Sequence, residues 1–180
     1  MFKLKSTKIG ILGGSFDPAH RGHLIISKIA LKRIKLKKIY WVITKKNPFK
    51  NKTFFSLKDR IYHAKKISKK VKNIEVLYLD DVVKSSRSID SIKFILKKKK
   101  PKLLYFIVGS DILLKFHKWH SWKRIVKLTK LIVFSRKGYD KKINKTIVVN
   151  YINKKNIIFI NNKPIKISST LLRKKMKKTY

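Results

Sequence analysis

The chain has 180 residues, no cysteine, and 49 Lys and Arg against 8 Asp and Glu, for a formal net charge of +41. That length suits one domain, residues 1–180, with a continuous core and room for a cleft, and the absence of cysteine excludes disulfides and thiolate metal sites. The apolar stretch at residues 9–12 is cut off by Gly13-Gly14 and Asp17, too short for a signal-peptide core; no run approaches the ~18 apolar residues of a membrane span, so a cytoplasmic protein with no membrane partner is expected.

In chain order, residues 8–12 read as a short buried strand ended by Gly13-Gly14. Residues 22–34 carry Leu24, Ile25, Ile29 and Ile34 at helical spacing. Residues 38–43 (Lys-Ile-Tyr-Trp-Val-Ile) are a second strand, and a loop holding Pro48 follows. A helix is expected over 56–71, with Ser56 as N-cap and Asp59 completing a capping-box analogue. Residues 73–79 form a third strand, and 89–99 a helix stopped by Pro101. Residues 103–108 (Leu-Leu-Tyr-Phe-Ile-Val) are a buried strand ended by Gly109. Residues 125–130 close a short helix, 131–135 and 156–160 are the fifth and sixth strands, and 168–176 a last helix capped by Ser168 or Ser169. The Lys runs at 97–100 and 174–178 fall where helices end, where cations suit the helix dipole. Strands alternating with helices predict an α/β fold, a Rossmann-like parallel sheet with helices on both faces. Ligands bind such sheets beyond the carboxyl ends of the strands. The segments to search are therefore 13–23, 44–54, 109–122 and 135–139.

The charge itself points to a polyanion partner. Only seven of the cations are Arg, the residue suited to bidentate phosphate and base recognition. The lysines are spread along the chain, and Lys, Ile and Asn are abundant together, as a codon drift toward A and T produces. No specific nucleic-acid partner is expected, while salt-sensitive, nonspecific adhesion to DNA or RNA is.

Gly13-Gly14-Ser15 follows the first strand and leads to a helix. Two glycines permit positive φ and close approach of backbone to a ligand, and N–H groups at the helix start attract phosphate. His20 and His23 stand three apart, on one face of the first turn. As imidazolium they would give charge-assisted hydrogen bonds to a polyphosphate; neutral, they could ligate a metal. Neither a Walker loop nor a G-x-G-x-x-G fingerprint is present.

The run GGSFDPAHRGH at 13–23 resembles the signature of nucleotidyltransferases bearing a [HT]-x-G-H element, in the form found in the bacterial nicotinate-nucleotide adenylyltransferases. Ile167-Ser168-Ser169-Thr170-Leu171-Leu172-Arg173 resembles the second superfamily motif, I-S-S-T-x-[IL]-R. Gly109-Ser110-Asp111 is similar to the narrower family's G-[AQ]-D, Phe116 to Trp122 to its F-x-x-W stretch, residues 131–139 to L-I-V-x-x-R-x-G-Y, and Asn47-Pro48-Phe49-Lys50 to N-P-x-K. The resemblance runs from Ile9 to about Lys174.

What it implies is a domain of nucleotidyltransferase type that joins ATP to nicotinate mononucleotide, giving nicotinate adenine dinucleotide and pyrophosphate in NAD biosynthesis. His20 and His23 would be catalytic. Gly13, Gly14, Ser15, Phe16, His20, His23, Gly109, Asp111, Ser168, Ser169, Thr170 and Arg173 would bind ATP, with Asp111 on a ribose hydroxyl and Arg173 beside the leaving pyrophosphate. Asp17, Lys50, Ser88, Trp119 and Arg136 would hold the acceptor, Trp119 stacking on the pyridine ring. Mg²⁺ would be bound through ATP phosphates, with no protein metal ligands. Three departures stand out. Residues 85–91 sit where the family reads R-Y-T-x-D-T or S-Y-T-x-D-T, with Arg87 at the tyrosine position and Ser88 at the threonine. Lys137 replaces a frequent proline. The chain stops at Tyr180, so the closing helix of the family is either missing or replaced by homo-oligomer formation. Within the superfamily the rival acceptors are nicotinamide mononucleotide and phosphopantetheine; the rival of another class is a basic nucleic-acid-binding protein on an inactive α/β scaffold.

Overall fold

In the computed structural model, residues 7–45, 52–136, 138–139, 143 and 145–177 are described. Six parallel strands form one sheet: β1 (Lys8–Gly14), β2 (Lys38–Ile43), β3 (Ile74–Tyr78), β4 (Leu103–Gly109), β5 (Lys130–Phe134) and β6 (Ile157–Ile160), in the order β3-β2-β1-β4-β5-β6. The longer helices are α1 (Arg21–Ile34), α2 (Leu57–Ser68), α3 (Ser88–Lys99) and α7 (Ser169–Lys177). Shorter ones are α4 (Ser110–Leu113), α5 (Trp122–Leu128) and α6 (Ile147–Tyr151), with 3₁₀ turns at Phe116–Lys118 and Lys154–Asn156. Among the described residues, no helix is long and apolar enough to cross a membrane.

Each strand feeds both faces of the sheet because alternate side chains point oppositely. Ile9, Ile11, Tyr40, Val42, Phe106 and Val133 pack with Ile89, Ile92 and Ile95 of α3 and Ile125 of α5. Leu12, Ile39, Trp41, Ile43, Ile107 and Ile132 pack on the other side with Ala30 of α1 and Ala64 of α2. Burial on both faces explains why the strands read as continuous apolar runs. The expected parallel sheet with helices on both faces is therefore what forms. The chain winds outward from β1 to β3, then returns to place β4 on the other side of β1. The order reverses between β1 and β4, and a crevice opens at their carboxyl ends.

Local chemistry ends the elements as expected in several places. Ser56 Oγ accepts the Asp59 N–H and donates to the Asp59 carboxylate. Helix α3 ends at Lys100 in a left-handed conformation (φ 42°), just before Pro101. One expectation is corrected. β1 does not stop at Leu12, because Gly13 and Gly14 pair with Val42 and Ile43 as strand residues. The left-handed turn falls on Phe16 instead (φ 47°), not on either glycine. The buried Phe16 ring is held there by stacking on Trp41, with centroids 5.2 Å apart.

Candidate functional site

A cavity of about 1750 Å³ lies over the ends of β1, β4 and β5. Its floor includes Gly13, Gly14, Ser15 and Phe16, and its walls come from the loops after β2, β3, β4 and β5 and from the start of α7. Both end motifs thus meet on one space, although they lie at opposite ends of the sequence.

The histidines are joined by the cap of α1. His20 is the N-cap, in extended conformation, and its Nδ1 accepts the Gly22 N–H at 3.1 Å. His23 Nδ1 in turn accepts the His20 N–H at 3.1 Å. The two rings lie 3.9 Å apart, and Phe16 supports His23 with centroids 4.7 Å apart. A ring nitrogen that accepts a hydrogen bond carries no proton, so each neutral ring carries its proton on Nε2. The cap therefore makes two Nε2–H donors from two backbone contacts. Gly22 is needed for this packing: a Cβ there would sit 2.8 Å from the His20 ring. Burial, and secondly the charge of Arg136, push His20 down from 6.5 to about 4. His20 is therefore neutral near pH 7, in keeping with the hydrogen bond its Nδ1 accepts.

The last helix is tied to the same loop. Ser169 Oγ donates to the Pro18 carbonyl at 3.0 Å, and Ser168 Oγ accepts the Leu171 N–H at 3.2 Å as a cap. Ser168, Ser169 and Thr170 line the cavity. Arg173 does not. Its guanidinium turns back to the Asp17 carbonyl, lies 3.5 Å from the Asp17 carboxylate and donates to Thr170 Oγ1 at 3.2 Å. The Asp17 carbonyl and the Thr170 hydroxyl thus hold the guanidinium against the loop.

Asp17 is likewise not in the cavity wall. Its carboxylate is 1% exposed and accepts the N–H groups of Phe54 and Phe55 at 2.9–3.1 Å. Those amides and the nearby Arg173 guanidinium engage both oxygens within the fold.

Beyond β4, Asp111 and Arg136 line the cavity and form an ion pair. The Arg136 N–H also donates to the fully buried Ser110 Oγ at 2.9 Å. Among the described residues, Asp111 Oδ1 is buried against Gly109 without a hydrogen-bond partner. Trp119 lines the cavity and stacks on Phe116 with centroids 5.1 Å apart. Gly109 and Ser88 also face this space. Lys50 lies outside the described residues.

Three features escaped the sequence reading. The buried Asp80 accepts Thr44 Oγ1 at 3.0 Å and the Lys45 N–H at 2.7 Å, clasping the loops after β2 and β3. The buried Arg60 of α2 donates to the carbonyls of Ser15 and Thr44, both at 2.8 Å. Its one visible signal was an Arg on the core-facing side of an amphipathic helix. Third, Arg87 and His120 line the cavity together.

A buried turn with two Nε2–H donors, a second helix start opposite, and one large shared cavity suit transfer between phosphates. The comparisons agree. The cytidylyltransferase-like family model matches residues 11–175. A protein of Pelagibacter ubique named probable nicotinate-nucleotide adenylyltransferase is 52% identical over 170 residues, covering 94% of each chain. One of Nitratiruptor with the same name is 38% identical, covering 73% of this chain and 75% of its own. A Plasmodium falciparum nicotinic acid mononucleotide adenylyltransferase, solved with NaAD, superposes with a TM-score of 0.75 at 22% identity, over 93% of this chain and 83% of that one, which shows the shared fold. With the two motifs on one cavity, and a relative more than half identical over nearly its whole length, the chain belongs to the cytidylyltransferase-like family and, within it, to the nicotinate-nucleotide adenylyltransferases.

Proposed function

We propose that this chain transfers the adenylyl group of ATP to nicotinate mononucleotide, releasing pyrophosphate and forming nicotinate adenine dinucleotide for NAD biosynthesis. The observation that carries this reading is the convergence of the His20–His23 cap and Ser168–Thr170 on one cavity. A phosphate monoester is already a competent nucleophile, so the acceptor phosphate attacks the α-phosphorus of ATP and no covalent intermediate is needed. Catalysis then rests on positioning and on stabilising charge at the transferring group.

His20 and His23 are assigned to the phosphate oxygens, each through Nε2–H, and Gly13, Gly14 and Ser15 to close backbone contact beneath them. Phe16 holds His23 in place. The start of α7, at Ser168, Ser169 and Thr170, takes the leaving pyrophosphate. Arg173 acts through Asp17 on the loop below. Asp111 Oδ1 accepts a ribose hydroxyl, with Gly109 beside it, while Arg136 holds the other oxygen. Trp119, already stacked on Phe116, offers an aromatic wall to the pyridine ring, and Ser88 and Lys50 belong to the acceptor side. Among the described residues no three His, Cys, Asp or Glu side chains gather to hold a cation. Mg²⁺ would ride on the ATP phosphates and water, where it would neutralise phosphate charge.

Pyrophosphate release by purified protein with ATP and each of three acceptors tests the reading. Nicotinate mononucleotide should give the highest kcat/KM. Preference for nicotinamide mononucleotide or phosphopantetheine would reassign the acceptor. Tight DNA binding at physiological salt without any pyrophosphate release would point to the nucleic-acid-binding alternative.

A further inference from the structure

We propose that Arg87 and His120 form a side-chain reader for the carboxylate of the acceptor's pyridine ring. This inference rests on the proposed function and adds the residues that set its specificity. Arg87 lies at the start of α3, in the loop after β3, and His120 in the loop after β4. Those strands are not neighbours, since β2 and β1 lie between them. The two loops reach across the ends of both to bring Arg87 Nη1 within 3.4 Å of His120 Nε2.

Both residues line the cavity, and so do their chain neighbours Ser88 and Trp119. Among the described residues, no carboxylate lies within ion-pair distance of either. A guanidinium and an imidazole brought together without an anion make a local excess of donors and positive charge. In this contact the guanidinium donates and His120 Nε2 accepts, leaving Nδ1 as the ring's donor. A planar guanidinium fork matches a carboxylate better than an ammonium does.

The acceptor carries two anionic groups. Its phosphate must reach the α-phosphorus beside His20 and His23, leaving the ring carboxylate for the other end of the molecule. Trp119 is the aromatic group assigned to that ring, and it adjoins His120. Nicotinamide mononucleotide has the same phosphate and ribose but a neutral carboxamide, so comparing the two acceptors isolates the carboxylate.

Steady-state kinetics of Arg87→Gln, Arg87→Lys and His120→Ala with both mononucleotides tests the assignment. In Arg87→Gln, kcat/KM for nicotinate mononucleotide should fall about 10- to 100-fold, mainly through KM. That for nicotinamide mononucleotide should change less than about 3-fold. Arg87→Lys should recover part of the loss by keeping the charge without the fork, and His120→Ala should give a smaller loss of the same selectivity. An unchanged melting temperature and unchanged ATP protection against unfolding verify that the variants fold. Equal losses on both acceptors would mean that Arg87 serves the phosphate or the loop, and no loss on either would mean it does not meet the substrate; each overturns the carboxylate assignment while leaving the proposed function standing. Wild-type protein that turns over neither mononucleotide would remove the proposed function, and this inference with it.

Discussion

At the residue scale, the spacing of His20 and His23 was legible, but their chemical state was not. The state depends on backbone geometry: His20 must adopt the extended N-cap conformation (φ −149°, ψ 169°) before its Nδ1 can meet the Gly22 N–H. Once it does, both rings become Nε2–H donors. Two predictions follow from this chemistry. In His23→Ala, loss of a donor at the transferring phosphate should lower kcat by about 10²–10³-fold with little rise in KM, by pyrophosphate-release kinetics; an unchanged kcat would remove the catalytic assignment. For His20, long-range proton–nitrogen NMR should show a bare Nδ1, a protonated Nε2 and no titration from pH 8 down to about 5. The sign of the stability effect follows from the lowered pKa. Between 6.5 and about 4 the unfolded chain takes a proton that the folded chain refuses, so stability falls as pH falls through that window. The shift corresponds to about 3 kcal/mol. Denaturant melts should show this acid-side loss in the wild type and a flatter profile in His20→Gln.

At the element scale, the sheet could be read because each strand is a continuous apolar run set between helical repeats, as at 38–43 and 103–109. The short helices α4 and α6 were missed, since four or five residues show too little periodicity to stand out. The hydrogen bonds between elements were also illegible, because they join residues far apart in sequence. Asp17 shows why. Its place within GGSFDP points to a ligand, yet it joins three segments: the loop at 54–55, its own turn, and α7 through Arg173. Arg60 steadies the same turn from α2 through the Ser15 carbonyl. Asp17→Ala would leave two amides without their acceptor and remove the carboxylate beside the Arg173 guanidinium, which keeps its bond to the main-chain carbonyl. It should cost about 2–4 kcal/mol in urea unfolding, with kcat falling because the histidine turn loosens. Arg173→Ala, which leaves the two amides paired, should cost less. If Asp17 served only the acceptor nucleotide, stability would stay at the wild-type value and the acceptor KM alone would rise.

At the scale of the whole molecule, the question is what a charge of +41 does to an enzyme whose proposed substrates are anions. The few carboxylates are largely occupied in the interior or in caps. Asp17 is buried under the turn, Asp80 clasps two loops, Asp111 pairs with Arg136, Asp59 completes the α2 cap and Glu75 pairs with Lys38. Little negative charge remains to offset the lysines spread over the surface. A low-dielectric cleft in such a field concentrates anions and speeds their arrival, and salt removes the effect within a Debye length of about 10 Å at 0.1 M. The same field explains why nonspecific adhesion to nucleic acid is expected without a dedicated reading surface. Raising KCl from about 20 to about 300 mM should therefore raise KM for both nucleotides and lower kcat/KM about 10-fold or more. Turnover at saturation should change little, since the bound phosphates meet fixed donors and not the diffuse field. Labelled DNA should compete with substrate at the low end of that range and stop competing near physiological salt. A KM that stays flat across the range would show that the lysine load lies too far from the cleft to act on substrate. DNA competition persisting at high salt would instead require a specific nucleic-acid surface.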